Sequence, residues 1–279
     1  MLKNNAKNNI FNNFNGSGAL PWTLADTTAF AFYDMNTGIT NAGSGKISAW
    51  NDFLGTTARN ISQGTGNNRP TLTSNGVVFN GTSEFLFNAN PFMMNSTNGV
   101  TVIAVIYAPP ALVGLSQWIF CEGSSASINP HLVILGKDVV LGQTGLDTQQ
   151  IRNDANTAVT AYGLNASTTT AYDSTFKLLT KKLNKVNNTI SLRINGVNGN
   201  TPITYTPSGT FTLDRFSVGA LVRSTNLNFA EFTLKGLAIL DASISDADML
   251  RAEGYLAHLY SQTALLPNDH PYKTNPPIK

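Results

Sequence analysis

At 279 residues the chain can bury a large core without a metal or disulfide staple, and its single cysteine, Cys121, excludes an internal disulfide. Charged residues make up only 12% and the net charge is +2, which excludes nucleic-acid binding by massed phosphate neutralisation. Asn, Thr, Ser and Gly fill the charge deficit, and these turn-forming residues favour many short strands over helices.

The opening segment, Met1–Gly18, is polar and Asn-rich, with Ile10, Phe11 and Phe14 as its chief apolar side chains. It lacks the apolar run of roughly 7–15 residues that follows the basic start of a secretory signal. The expectation is a protein made inside a cell and carried outward on a particle released at lysis. Residues 1–20 have too little apolar area to offset their own ordering entropy, so they read as an arm that orders against a partner. Ile10, Phe11 and Phe14 would anchor that arm to the particle. The compositional boundary near Leu20-Pro21 leaves residues 21–279 as the folded body.

Along that body, turn signals recur at Asn75-Gly76, Asn80-Gly81, Asn98-Gly99, Asn195-Gly196 and Asn198-Gly199. Gly76–Phe79 and Glu84–Phe87 are strand candidates flanking the Asn80-Gly81 turn as a hairpin. Val100–Tyr107 is apolar on both faces, the pattern of a central strand. The apolar stretch that it opens is cut by Pro109-Pro110, short of the roughly 20 residues that cross a membrane. Trp118–Cys121 and His131–Leu135 follow, and Cys121 reads as a small buried hydrophobe. Lys181, Lys182 and Lys185 read as a solvated loop ahead of Thr189–Asn195, whose Ile190, Leu192 and Ile194 share one face. Phe211–Leu221 and Phe232–Leu240 complete the strands.

One stretch breaks the β pattern. Ser245 is a good N-cap, Asp246 and Asp248 suit a first helical turn, and Met249, Ala252, Leu256 and Leu259 recur at helical spacing to about Gln262. Gly254 inside this helix costs about 1 kcal/mol relative to Ala, so a close approach of the helix to a sheet is expected there. Pro267, Pro271, Pro276 and Pro277 then impose an extended tail. The sum is an all-β, two-sheet antiparallel sandwich with one C-terminal helix packed on it.

The residues carry a family resemblance. Phe30–Asp34, Trp50-Asn51-Asp52, Asn68-Arg69-Pro70 and Val78-Phe79-Asn80-Gly81-Thr82 resemble the opening of laminin-G-like, concanavalin A-like jelly-roll domains. Gly236–Leu240, Leu250–Tyr260 and Leu266–Lys273 resemble that family's closing strand, helix and "Leu-Pro-x-x-His-Pro-Tyr" tail. The resemblance spans roughly residues 21–275, and residues 108–185 match nothing in it beyond strand count. It implies a jelly roll of the kind found in tailed-phage virion proteins, which bind glycans or proteins and are mostly not enzymes. Asn80 stands where the family usually has Asp, which speaks against metal at that turn.

Catalytic patterns are sparse. Glu84, Glu122 and Glu231 stand alone without the paired carboxylates of a glycosidase. His131, His258 and His270 lack metal-ligand spacing. His270 reads as a tie-down of the tail and His258 as helix surface. Trp22 and Trp50 read as core, and Trp118 as a candidate for stacking on a sugar ring. The polar segment Gly145–Thr157 offers Asp147, Gln149, Gln150, Arg152, Asn153 and Asp154 to sugar hydroxyls, or oxygens to a calcium ion; an ordinary solvated loop is the alternative. The candidate glycan site is therefore Trp118, Asp147, Gln150, Arg152, Asn153 and Asp154. The expected role is a virion surface subunit (fibre, spike or capsid decoration) that contacts host surface polysaccharide and other virion proteins. A homo-oligomer, trimeric on the analogy of fibres, is expected, with neither nucleic acid nor membrane as partner. A purely structural decoration protein and a bacterial adhesin module are the alternatives.

Overall fold

The computed structural model describes residues 20–91, 97–110, 115–137, 145–157, 171–199, 201–206 and 208–279, so Ile10, Phe11 and Phe14 lie outside the described residues. The first strands are β1 (Ala29–Asp34), β2 (Ile39–Asn41), β3 (Ile47–Trp50), β4 (Ile61–Ser62), β5 (Thr71–Thr73), β6 (Gly76–Asn80) and β7 (Leu86–Asn88). Then come β8 (Gly99–Tyr107), β9 (Gln117–Gly123), β10 (His131–Lys137), β11 (Asp147–Arg152) and β12 (Phe176–Asn184). β13 (Thr189–Ile194), β14 (Val197–Asn198), β15 (Ile203–Thr204), β16 (Arg215–Val218) and β17 (Glu231–Asp241) lead into the helix α1 (Asp246–Leu259).

Two antiparallel sheets result. The larger runs β14-β13-β12-β8-β17-β6-β5, with β1 also on β17 and β15 on β13. The smaller runs β11-β10-β9-β16-β7-β4-β3-β2. Their inner faces meet in one apolar core that includes Tyr33, Trp50, Phe79, Phe120, Phe216 and Phe232. Phe79 and Phe232 stack at 4.5 Å, and Trp50 donates its indole N–H to the Asp34 carbonyl at 2.9 Å. The "Trp-x-Asp" step has a physical reason. Asp52 is buried and accepts from the backbone N–H groups of Phe32, Leu54 and Thr56 at 2.9–3.1 Å, which ties β1 to the chain after β3.

The expected central strand is β8, paired with β12 on one side and β17 on the other. Val100, Val102, Ala104 and Ile106 face the inter-sheet core, whereas Ile103 and Val105 face a second cluster beneath α1. A strand covered on both faces has no use for alternation, hence its unbroken apolar run. β13 has one covered face, and its burial alternates residue by residue.

The helix forms where its signals place it. Ser245 accepts from Asp248 N–H at 3.0 Å, and Met249, Ala252 and Leu256 pack with Trp22, Phe32 and Ile103 against the outer face of the larger sheet. Burying each large apolar side chain here contributes on the order of 1.5–3 kcal/mol. The helix ends at Leu259, short of Gln262. Gly254 does not meet the sheet: a Cβ there would lie 2.4 Å from Cβ of Tyr272, so the close approach is to the C-terminal tail. The sheet's close contact with this region is at Gly236, where a Cβ would fall 2.2 Å from the Tyr260 hydroxyl. That hydroxyl donates to Asp34 Oδ1 at 2.9 Å.

The tail is tied down as expected. His270 is buried with Nε2 3.4 Å from Glu253 Oε2, and Lys279 pairs with Asp26 at 2.6 Å. Burial opposes ionisation of Glu253, but contacts from His270, Arg193 and Thr180 outweigh it and hold the carboxyl below its usual range. His258 is half-buried rather than on the surface, 3.0 Å from the Tyr272 carbonyl.

Other expectations change. Asn195-Gly196 is a tight hairpin, with both residues at positive φ (54° and 79°) between β13 and β14. Asn80-Gly81 is not: β6 and β7 belong to different sheets, and the turn is a crossing between layers. Asn80 Oδ1 secures that crossing by accepting from Thr82, Ser83 and Glu84 N–H groups at 2.9–3.2 Å. Phe211–Leu221 contributes only Arg215–Val218 as a strand. Two of the three lysines are not in a solvated loop; only Lys185 lies in the turn that precedes β13. Lys181 and Lys182 lie in β12, and Lys181 is buried in an ion pair with Asp147.

Candidate functional site

β11 is one of the two edge strands of the smaller sheet, and its two faces differ. A strand turns successive side chains to opposite faces. On one face Asp147 enters the inter-sheet space, accepts from the Tyr172 hydroxyl at 2.9 Å and pairs with Lys181 of the opposite sheet; Ile151 joins the main core. On the other face Thr148, Gln150 and Arg152 line a cleft of about 330 Å³.

The cleft lies over β9, β10 and β11 and under the segment that follows β16. Trp118 of β9 and His131 of β10 form one wall; Ser116, Arg223, Leu227 and Asn228 complete the lining. Arg152 and His131 are directly opposed across the β10–β11 ladder. The Trp118 indole lies against the His131 imidazole, centroids 4.9 Å apart. Gly136 is the cross-strand partner of Trp118 and leaves the ring room, since a Cβ there would crowd the indole at 3.3 Å. Asn228, at φ 57°, closes the far side, its backbone carbonyl accepting from Trp118 N–H at 2.8 Å and its amide donating to the Ser116 carbonyl at 3.0 Å.

The electrostatics are one-sided. Arg152 and Arg223 bring two guanidinium groups, and no acidic side chain is among the lining residues. Burial, with help from Arg152, pulls the Arg223 guanidinium below its usual range. His131 bonds Gln150 Oε1 through Nε2 at 2.7 Å, and burial pulls its pKa down from 6.5 to about 4, with Arg152 and Arg223 adding repulsion. Its ring is therefore neutral at pH 7. Trp118 Nε1, Arg152 Nε, Arg223 Nε and Asn228 Oδ1 are buried and have no hydrogen-bond partner among the described residues. Such a group costs roughly 1–3 kcal/mol when left unsatisfied, so this concentration in one cleft marks a place where a polar ligand has something to bond.

Of the residues singled out from sequence, the structure gathers Trp118, Gln150 and Arg152 into this cleft. It removes Asp147, which is committed to Lys181 and Tyr172 inside the sandwich. Asn153 and Asp154 are turned to tying the chain together. Asn153 donates to the Ser208 carbonyl at 3.0 Å and accepts from Thr157 N–H at 2.9 Å. Asp154 accepts from both Thr210 and Thr212, at 2.7–2.9 Å, and these bonds hold its carboxyl below the usual range. The Gly145–Thr157 segment is thus a strand and its anchoring turn rather than a free loop. Among the described residues no three His, Cys, Asp or Glu side chains gather as a metal site, and the segment's two aspartates are engaged elsewhere. Sequence reading missed His131, Arg223 and Asn228 as cleft residues. The available signals were the lone cation in Val222-Arg223-Ser224-Thr225-Asn226 after a strand, and a histidine starting β10.

No protein-family model matches the chain, and no curated protein matches it. Solved structures do. The chain is similar to a Trypanosoma rangeli sialidase in complex with sialic acid, with a TM-score of 0.55 and 12% identity over 90% of this chain and 37% of that one. It is similar to a mutant of HCR/D, with a TM-score of 0.53 and 12% identity over 81% of this chain and 50% of that one. The botulinum neurotoxin serotype D binding domain aligns with a TM-score of 0.48 and 12% identity, over 80% of this chain and 49% of that one. Each of these three takes up no more than half of the other protein, and what the first two likenesses establish is the β-sandwich fold.

Proposed function

We propose that this chain is a virion surface protein whose sandwich binds glycan in the Trp118 cleft, with residues 1–20 attaching it to the particle. The observation that carries the glycan reading is the cleft itself. It combines an indole and a leucine with amide, imidazole and guanidinium groups, several of them with a polar atom that has no partner among the described residues. Sugar recognition asks for that combination: apolar walls for ring C–H groups and planar donors and acceptors for hydroxyls. Support also comes from the fold likeness to a sialidase whose structure holds sialic acid. The virion setting rests on the laminin-G-like resemblance and the Asn-rich opening segment, and many particle copies would turn a weak site into avid attachment.

We read the cleft as binding without hydrolysis, since no carboxylate pair lines it among the described residues. A glycan array probed with the full chain tests the reading. Binding that is lost in Trp118→Ala, with the melting temperature kept, supports it. No binding to any glycan by chain or intact particle refutes it and leaves a structural decoration role.

A further inference from the structure

We infer that the cleft selects an acidic sugar residue, its anionic group held between Arg152 and Arg223. This inference rests on the glycan reading above and narrows it. Arg193, Arg215 and Arg251 each hold a carboxylate. Arg152 and Arg223 hold none among the described residues. Arg152 reaches the neutral Asn156 Oδ1 at 3.2 Å, and Arg223 the backbone carbonyl of Ile128. Two like charges brought together and half-buried, without a counter-charge, repel each other in a medium that screens poorly. An anion between them relieves that repulsion and gains charge-assisted, fork-shaped hydrogen bonds that a hydroxyl cannot supply.

The unpartnered atoms match the same ligand. Arg152 Nε, Arg223 Nε and Trp118 Nε1 are donors, whereas Asn228 Oδ1 is an acceptor suited to a sugar hydroxyl. Neutral His131 leaves the two guanidinium groups as the only charges in the lining among the described residues. Leu227 and the Trp118 indole give an apolar side that a free inorganic anion would leave unused. A cleft of about 330 Å³ lies at the lower end of the ~300–1,000 Å³ range of ligand pockets, which suits one ring rather than a polymer segment.

Calorimetric titration of the full chain with matched oligosaccharides tests this: neutral, carboxylated (glucuronate- or N-acetylneuraminate-terminated) and sulfated, with inorganic phosphate as a separate probe. The expected result is a preference for one acidic series over its neutral counterpart of about tenfold or more, weakening as salt rises. The carboxylated and sulfated arms identify which anion is read. Arg152→Gln and Arg223→Gln should each remove most of the preference while melting stays within a few degrees. Arg152→Lys should retain part of it, because charge survives without the planar fork. If neutral and acidic sugars bind equally and the Gln variants change nothing, the acidic selection is overturned while glycan binding stands. If phosphate alone binds, the site is an anion hole and the inference fails. If no sugar of any kind binds, the glycan reading itself falls.

Discussion

Replacing Lys181 with Met probes the polar bridge between the two sheets. The Lys181 and Asp147 side chains are 1% and 0% exposed, and they reach each other across the sandwich from β12 and β11. Removing the ammonium strands a carboxylate in the core with only neutral donors, the Tyr172 hydroxyl at 2.9 Å among them. Breaking a buried pair in this way costs about 3–5 kcal/mol, a fall in melting temperature on the order of 10 °C for a chain of this size. Adding Asp147→Leu removes the stranded charge but orphans the buried Tyr172 hydroxyl, leaving a deficit of about 1–3 kcal/mol. Adding Tyr172→Phe as well should bring stability back to within about 1 kcal/mol of the original, since an apolar core of similar volume replaces all three groups. Urea unfolding at pH 7, with unchanged slopes, measures each step. Burial pushes the Asp147 carboxyl up and Lys181 draws it back, so in Lys181→Met the carboxyl pKa rises further above its unfolded value. Protonation then relieves the penalty, and the deficit should shrink as pH falls. A Lys181→Met loss under about 1 kcal/mol, or a triple variant no better than the single, would refute this account.

His131 gives a pH signature. Its folded pKa of about 4 lies below the ordinary 6.5, so the unfolded chain takes up the proton first and stability falls between those values as pH drops. The contribution is about 3 kcal/mol, and His131→Gln should lose that pH dependence between pH 6.5 and 4 relative to the parent; parallel stability curves would contradict it. Gly254→Ala should destabilise by about 1–3 kcal/mol instead of stabilising as helix propensity predicts, because the new methyl meets Tyr272. A rise in melting temperature would show that the tail yields. Glu253→Gln should weaken the Thr180, Arg193 and His270 contacts and lower stability at pH 7; its folded pKa is depressed, so the difference from the parent should narrow as pH falls through the carboxylate range. A pH-independent difference would sink that reading.

The sandwich was legible where one physical demand governs a segment. β8 reads as central because both its faces are covered, β13 as half-covered because one is, and α1 because its cap, first-turn acids and apolar stripe agree. The Asn80-Gly81 turn misled because a dipeptide encodes local backbone shape, whereas which sheet each flanking strand joins depends on partners far away, β17 for β6 and β16 for β7. Lys181 misled for a related reason. A charge reads as solvated unless its counter-charge is known, and here that counter-charge lies 34 residues away in sequence on the other sheet.

The cleft shows the same divide from the functional side. Trp118, Gln150 and Arg152 were identifiable because amide, guanidinium and indole groups are chemically suited to sugars wherever they sit. Asp147 is just as suited, and only the period-two geometry of β11 separates it from them: odd positions turn into the core and even positions into the cleft. A strand carrying Asp147-Thr148-Gln149-Gln150-Ile151-Arg152 is unusual in being polar on both sides. Its inner carboxylate needs Lys181 to be tolerable, which fixes β11 against β12. That fixed edge presents Gln150 and Arg152 to Trp118, His131 and Arg223. On this argument the core ion pair is a positioning device for the cleft. Lys181→Met should therefore weaken the proposed sugar binding even under conditions where the chain is still fully folded, and a variant that is destabilised yet binds with unchanged affinity would separate the two.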